Sequence, residues 1–363
     1  MTELNLHDLH QRLGAAFIEV NGLEAVGHYG DTLAEHAALR ESVGVFDLGF
    51  RGRLCLTGAD RVRLLNGQVT NDIRMLDEGQ GCYAAIVNAR GKMESDANIY
   101  CLRDELLLDF EPGLTAQLSQ RFDKYIIADD VRVVDVAPHY GLLSVQGPKA
   151  GAVIQRLGPG LELPGRMMAF TRATEASVGE MYCMNHPRGR VPGFDLFVPI
   201  ATLEAVADRL LDTARECGGR PCGWQALETA RIEAGIPRFG VDMDETNLAP
   251  EAGIERRAIS YTKGCYIGQE VIARLRSYGQ VAKALRGLRL EKDLKVLPQR
   301  GDRLWQGDQE IGYVTSAVFS PTLKSNVALG YVRRECNQPG TRLALRTAAG
   351  ESAVEVVSLP FIE

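Results

Sequence analysis

One short run carries the residue types most able to do chemistry: Lys263-Gly264-Cys265-Tyr266-Ile267-Gly268-Gln269-Glu270, with Arg274 close behind it. Gly264 and Gly268 bracket a thiol and an aromatic ring and permit a tight turn in which backbone can approach a ligand. A neighbouring cation favours thiolate, so Lys263 and Arg274 would activate Cys265 if they lie beside it in space. The same spacing also describes a Gly-rich turn around a buried structural thiol, followed by a surface helix starting at Gln269. Two acids stand out as well. Asp96, in Glu94-Ser95-Asp96-Ala97-Asn98, reads from its neighbours as a turn residue that starts a strand, although a carboxylate can also serve as a general acid–base group. Glu233 lies in the last turn of a helix expected over 227–235 and ended by Gly235. A carboxylate there opposes the helix dipole and calls for a compensating donor, either Arg231 or Arg238 at the surface or the donor pair of a ligand.

The elements that must position these groups follow from periodicity. Apolar and β-branched runs bounded by Gly, Asp or Pro predict strands over 53–56, 83–87, 98–102 and 105–110, with short helices over 59–67 and 112–125. A second stretch repeats the style, with strands over 142–145 and 194–198 and helices over 148–157 and 201–217. Residues 158–192 hold several Pro and Gly and give no clear boundaries. From about Ala284 the texture changes to closely spaced strands over 285–290, 310–318, 327–332, 341–346 and 354–359, the pattern of a small β-barrel. The expected class is α+β, divided into a first α+β domain over 1–140, a second over 141–283 that carries the cysteine loop, and a barrel over 284–363.

Bulk properties narrow the field. At 363 residues the chain exceeds one ordinary core, and a net charge of −6 gives no general attraction to nucleic acid. The basic residues over 286–289 read as a solvated strand face. No apolar run reaches the roughly 18 residues of a membrane span, and the N-terminus lacks a secretory signal, so the cytoplasm is expected. Eight cysteines without a CxxC pair argue against a disulfide framework or zinc ribbon, and no metal ligand set is evident. There is no GxGxxG fingerprint and no Walker-type loop.

The 263–270 run is similar to the signature of the YgfZ-type iron–sulfur maintenance proteins, Lys-Gly-Cys-aromatic-x-Gly-Gln-Glu followed by Arg. Gly67-Gln68-Val69-Thr70-Asn71-Asp72 resembles the family's Gly-Gln-x-Thr-Asn-Asp block, and residues 319–332 resemble the C-terminal block of the glycine-cleavage T-protein. The resemblance spans nearly the whole chain. It implies a three-domain T-protein-like fold around a central cavity for tetrahydrofolate or a related folate. It further implies Asp96 beside the folate nitrogen, Glu233 on the pterin and Cys265 as a required thiol, with Tyr83, Asn98 and Arg274 as further binding residues, although Tyr83 and Asn98 could equally face the core or solvent. Two functions follow: iron–sulfur cluster assembly or repair serving client proteins, which the cysteine loop favours, or aminomethyl transfer from a lipoyl carrier protein, which the acids keep open.

Overall fold

The computed structural model describes residues 2–158, 160–292, 294 and 296–362. They form two compact units. The first holds the chain up to Gln68 together with Asp72–Ala84 and Ala97–Glu228; the second holds Val69–Asn71, Ala85–Asp96 and the chain from Thr229 onward. The sequence-based divisions at 140/141 and 283/284 fall at strand starts within these units, Tyr140–Gln146 and Lys283–Leu290.

In the first unit a six-stranded sheet runs in the order Phe170–Glu175, Gly179–Asn185, Gly193–Pro199, Tyr140–Gln146, Gly44–Asp47 and Arg220–Pro221. Helices Ala150–Leu157 and Leu203–Glu216 cover it. The second of these buries Leu203, Val206, Ala207, Leu210, Leu211 and Ala214, spaced by three and four, so one stripe faces the sheet. The outer hairpin of this sheet occupies the 158–192 stretch that its Pro and Gly content had left without boundaries.

The first fifty residues, unassigned from sequence, also carry regular structure. They include helices His7–Arg12 and Thr32–Glu41 and the hairpin Ala16–Val20/Leu23–His28. Asn21 and Gly22, both at positive φ of 50° and 83°, make that hairpin's turn.

A five-stranded sheet orders Gln80–Val87, Met93–Cys101, Glu105–Phe110, Gly52–Thr57 and Arg132–Asp135. The expected helix over 112–125 shortens to Thr115–Asp123, and the one over 59–67 runs as Arg61–Gln68. It passes through the Asn66-Gly67 pair that should have stopped it, because the buried Asn66 side chain is used instead, accepting the Ile73 N–H at 2.9 Å.

In the second unit six strands close into a barrel in the order Lys283–Leu290, Ser325–Arg333, Gln309–Ser320, Arg303–Gln306, Arg342–Thr347 and Gly350–Val357. Closure leaves no sheet edge, and Leu288, Leu304, Ile311, Val314, Leu345 and Val356 fill the interior. Five strands match the expected runs; Arg303–Gln306 is only four residues long, half of them polar, and gave no signal. The reading of 286–289 as a solvated face holds for Arg289 and fails for Arg286, which is half-buried. No helix among the described residues is long and apolar enough to cross a membrane.

Candidate functional site

Asp96 is the fourth residue of strand Met93–Cys101, not its start, so the turn reading is overturned. Side chains alternate along a strand. Met93 and Ser95 are fully buried, which turns Glu94 and Asp96 to the more open face. The base of the strand is anchored within the second unit: the Met93 N–H donates to the Asn247 carbonyl at 3.0 Å, and the Lys92 ammonium to the Thr246 carbonyl at 2.7 Å.

The 263–270 run clamps the turn that precedes this strand. Gly268, at φ +81°, opens helix Gln269–Tyr278, and a Cβ there would stand 2.4 Å from the Asn88 carbonyl oxygen. Gly91, in the same turn at φ +72°, packs against Val271. Lys263 is buried and donates to the carbonyls of Val69 and Asn71 at 2.9 and 2.6 Å. Between them Thr70, with no exposed surface, donates its hydroxyl to the Ala258 carbonyl at 2.6 Å and accepts the Ala85 N–H at 3.0 Å. Two of the three sequence blocks that carry the family resemblance therefore serve first to hold the hairpin bearing Asp96. Gly268→Ala should cost about 2 kcal/mol or more, since a side chain at positive φ is strained and its Cβ meets backbone. Thermal unfolding checks this, and an unchanged midpoint would refute the clamp.

Cys265 is exposed, the only cysteine so placed among the described residues. Neither expected cation is dedicated to it. Lys263 is committed to carbonyls, and Arg274 lies at the surface paired with Glu270 at 2.6 Å.

Glu233 ends helix Trp224–Glu233 and has no exposed surface, which overturns the surface-pair alternative. One carboxylate oxygen accepts the Ser320 hydroxyl and the Thr322 N–H, and the other accepts the Thr322 hydroxyl at 3.2 Å. The compensation that its place in the helix demands thus comes from the turn between barrel strands Gln309–Ser320 and Ser325–Arg333. Arg231, buried two residues earlier, pairs with Asp242 and donates to Ser316 at 3.0 Å.

Tyr83 and Asn98 belong to the first unit. Tyr83 is half-buried. Asn98 is buried and donates to Asp109 at 3.0 Å. Asp109 opens onto a charge network that sequence reading missed. Arg51 bridges Asp109 and Glu111, each at 2.6 Å, and Arg188 reaches Asp109 at 3.4 Å and Asp195 at 2.7 Å. His186 and Ser144 complete the shell of Asp195 at 2.8 and 2.6 Å. Burial pushes the Asp195 carboxyl up, but the Arg188 guanidinium and His186 outweigh it and hold the group below the usual carboxylate range. The available signal was an acid inside an apolar strand: Asp109 follows Leu106-Leu107-Leu108, and Asp195 sits between Phe194 and Leu196.

Among the described residues no group of three His, Cys, Asp or Glu side chains is arranged to hold a metal ion. A polar heterocycle is a better fit for the second unit. The Asn247 side-chain amide nitrogen, on the residue that anchors the Asp96 strand, is buried without a hydrogen-bond partner and could serve such a ligand.

Comparison with known proteins places these residues in context. Residues 6–263 match the GCVT N-terminal domain and residues 283–363 the glycine cleavage T-protein C-terminal barrel domain. An aminomethyltransferase of Saccharopolyspora erythraea is 32% identical over 98% of this chain and 96% of its own length. One of Halalkalibacterium halodurans is 30% identical over 99% of both. The crystal structure of the glycine cleavage system aminomethyltransferase T from Bartonella henselae superposes with a TM-score of 0.89 at 25% identity, covering 100% of this chain and 98% of that one.

Proposed function

Because the chain belongs to the glycine cleavage T-protein family, we propose that it is a tetrahydrofolate-dependent aminomethyltransferase that works on a lipoyl carrier protein. The observation that carries this reading is the full-length likeness to proteins named aminomethyltransferase, joined to an Asp96 that a dedicated clamp presents on the open face of its strand.

In the reaction, the carbon of a sulfur-bound aminomethyl group loses its bonds to sulfur and to the amino nitrogen. It gains two bonds to folate nitrogens, leaving a thiol and ammonia. Tetrahydrofolate, when bound, supplies the nitrogens that accept the carbon. The chain's part is to orient and to move a proton. Asp96 is the group to hold the folate and exchange a proton at N5 or N10, which requires hydrogen-bond reach. The Asn247 amide is an unclaimed donor in the same unit for the ring system. Glu233 reaches a pterin only through the shell of Ser320 and Thr322 that now surrounds it.

The proposal is tested by supplying purified protein with tetrahydrofolate and an aminomethylated lipoyl carrier. Formation of methylene-tetrahydrofolate with one ammonia per turnover is expected; no product with an active carrier would sink it.

The comparisons favour this reading over the iron–sulfur role that the 263–270 signature implied. One observation still speaks for that role, the exposure of the Cys265 thiol. Cys265→Ser separates the two. Transfer should stay within about threefold of the parent, as for a surface change away from the chemistry. In a deletion strain, iron–sulfur enzyme activity rescued by the parent and not by Cys265→Ser would reinstate the thiol as the functional group.

A further inference from the structure

The second unit carries an open groove of about 560 Å³ whose walls bring Arg276, Arg286 and Arg334 together against a single acid, Glu255. That acid is already engaged, accepting the Tyr261 hydroxyl. The Tyr261 ring in turn supports Arg276, whose guanidinium lies 3.9 Å above its centre. Arg286 forms one wall from the barrel strand Lys283–Leu290, with Nε donating to the Asn337 carbonyl at 2.9 Å and Nη1 to the Leu285 carbonyl at 3.1 Å. Those bonds fix the plane of the guanidinium and leave Nη2 uncommitted.

None of the three arginines forms an ion pair with a described residue. Three positive charges against one negative leave two in excess, on a chain whose net charge is −6. Burial pulls the Arg286 pKa down, and no carboxylate restores it. Arg289, on the same strand, shows the ordinary arrangement: it is exposed and lies 3.5 Å from Glu355. An uncompensated, half-buried guanidinium beside two more, on an otherwise acidic molecule, focuses potential for anions.

We infer that this groove binds a multiply charged oxyanion, with Arg286 fixed in its wall and Arg276 and Arg334 closing on it from the rim. Phosphate and carboxylate oxygens share the geometry that guanidinium groups recognise. The ligand is therefore either a polyphosphate-bearing molecule or a polycarboxylate such as an oligo-γ-glutamyl chain. Nothing in this assignment depends on transfer activity.

Calorimetry on the full chain at low salt, with tripolyphosphate in one arm and tetra-γ-glutamate in the other, tests it. At least one should bind, and the tighter of the two identifies the source. Arg286→Gln should weaken that binding about tenfold or more, the loss expected for a charged hydrogen bond. Arg276→Gln and Arg334→Gln, exposed positions that do not endanger folding, should each weaken it several-fold, while Arg289→Gln should leave it unchanged. Absence of binding in both arms, or binding that the three groove variants leave intact, overturns the assignment.

Discussion

Asp96→Asn is expected to cut aminomethyl transfer by about 10²–10⁴-fold, the range for loss of a positioned proton-transfer group. Asparagine keeps the size of the side chain and its place on the open face of strand Met93–Cys101, so the fold should be unaffected. It cannot take up a proton. The measurement is kcat with tetrahydrofolate and the aminomethylated carrier, beside an unfolding curve to show that stability has not moved. A fall of less than tenfold would remove Asp96 from the chemistry and leave the clamp around its hairpin without a catalytic purpose.

Glu233→Ala should instead act on stability. It removes the acceptor for the Ser320 hydroxyl and for the Thr322 hydroxyl and N–H, and it empties a site with no exposed surface. Unsatisfied buried donors and the new cavity together should cost about 3–5 kcal/mol. Denaturant unfolding reads this directly. Glu233→Gln discriminates further: if the carboxylate's main task is the pterin, it should lose folate affinity with little change in unfolding, whereas a tie between helix and barrel predicts the reverse.

The α+β class and the C-terminal barrel were legible because they rest on local pattern. Runs such as 285–290 and 327–332 are short, largely apolar and separated by turn residues, and the helix burying Leu203, Val206, Leu210 and Ala214 shows its stripe directly. The Asn21-Gly22 pair is an equally local hairpin signal.

What local pattern cannot contain is a partner far along the chain. Thr70 in isolation is an unremarked hydroxyl; its use becomes visible only with Ala258 beside it. Lys263 looked like an activator of its neighbour Cys265, yet it serves the carbonyls of Val69 and Asn71. Glu233 had several partners to choose from in sequence, and none of those considered was the turn at Ser320 and Thr322 that holds it. For the buried chain from Arg51 through Asp109 and Arg188 to Asp195, the acids inside apolar strands signal that a buried partner is needed, but the arginines that answer them lie outside any strand, those of Asp109 far along the chain.

The interleaving of the two units bears on how the chain is made. Val69–Asn71 and Ala85–Asp96 leave the ribosome early, but Lys263, which secures the first of these segments, lies 194 residues after Val69. At a synthesis rate of about 5–20 residues per second, that interval lasts roughly 10–40 s. For that time the nascent hairpin that will present Asp96 lacks its clamp, while most of the first unit already has the residues it needs. The second unit is therefore completed last, and it cannot be produced by cutting the gene at a single point.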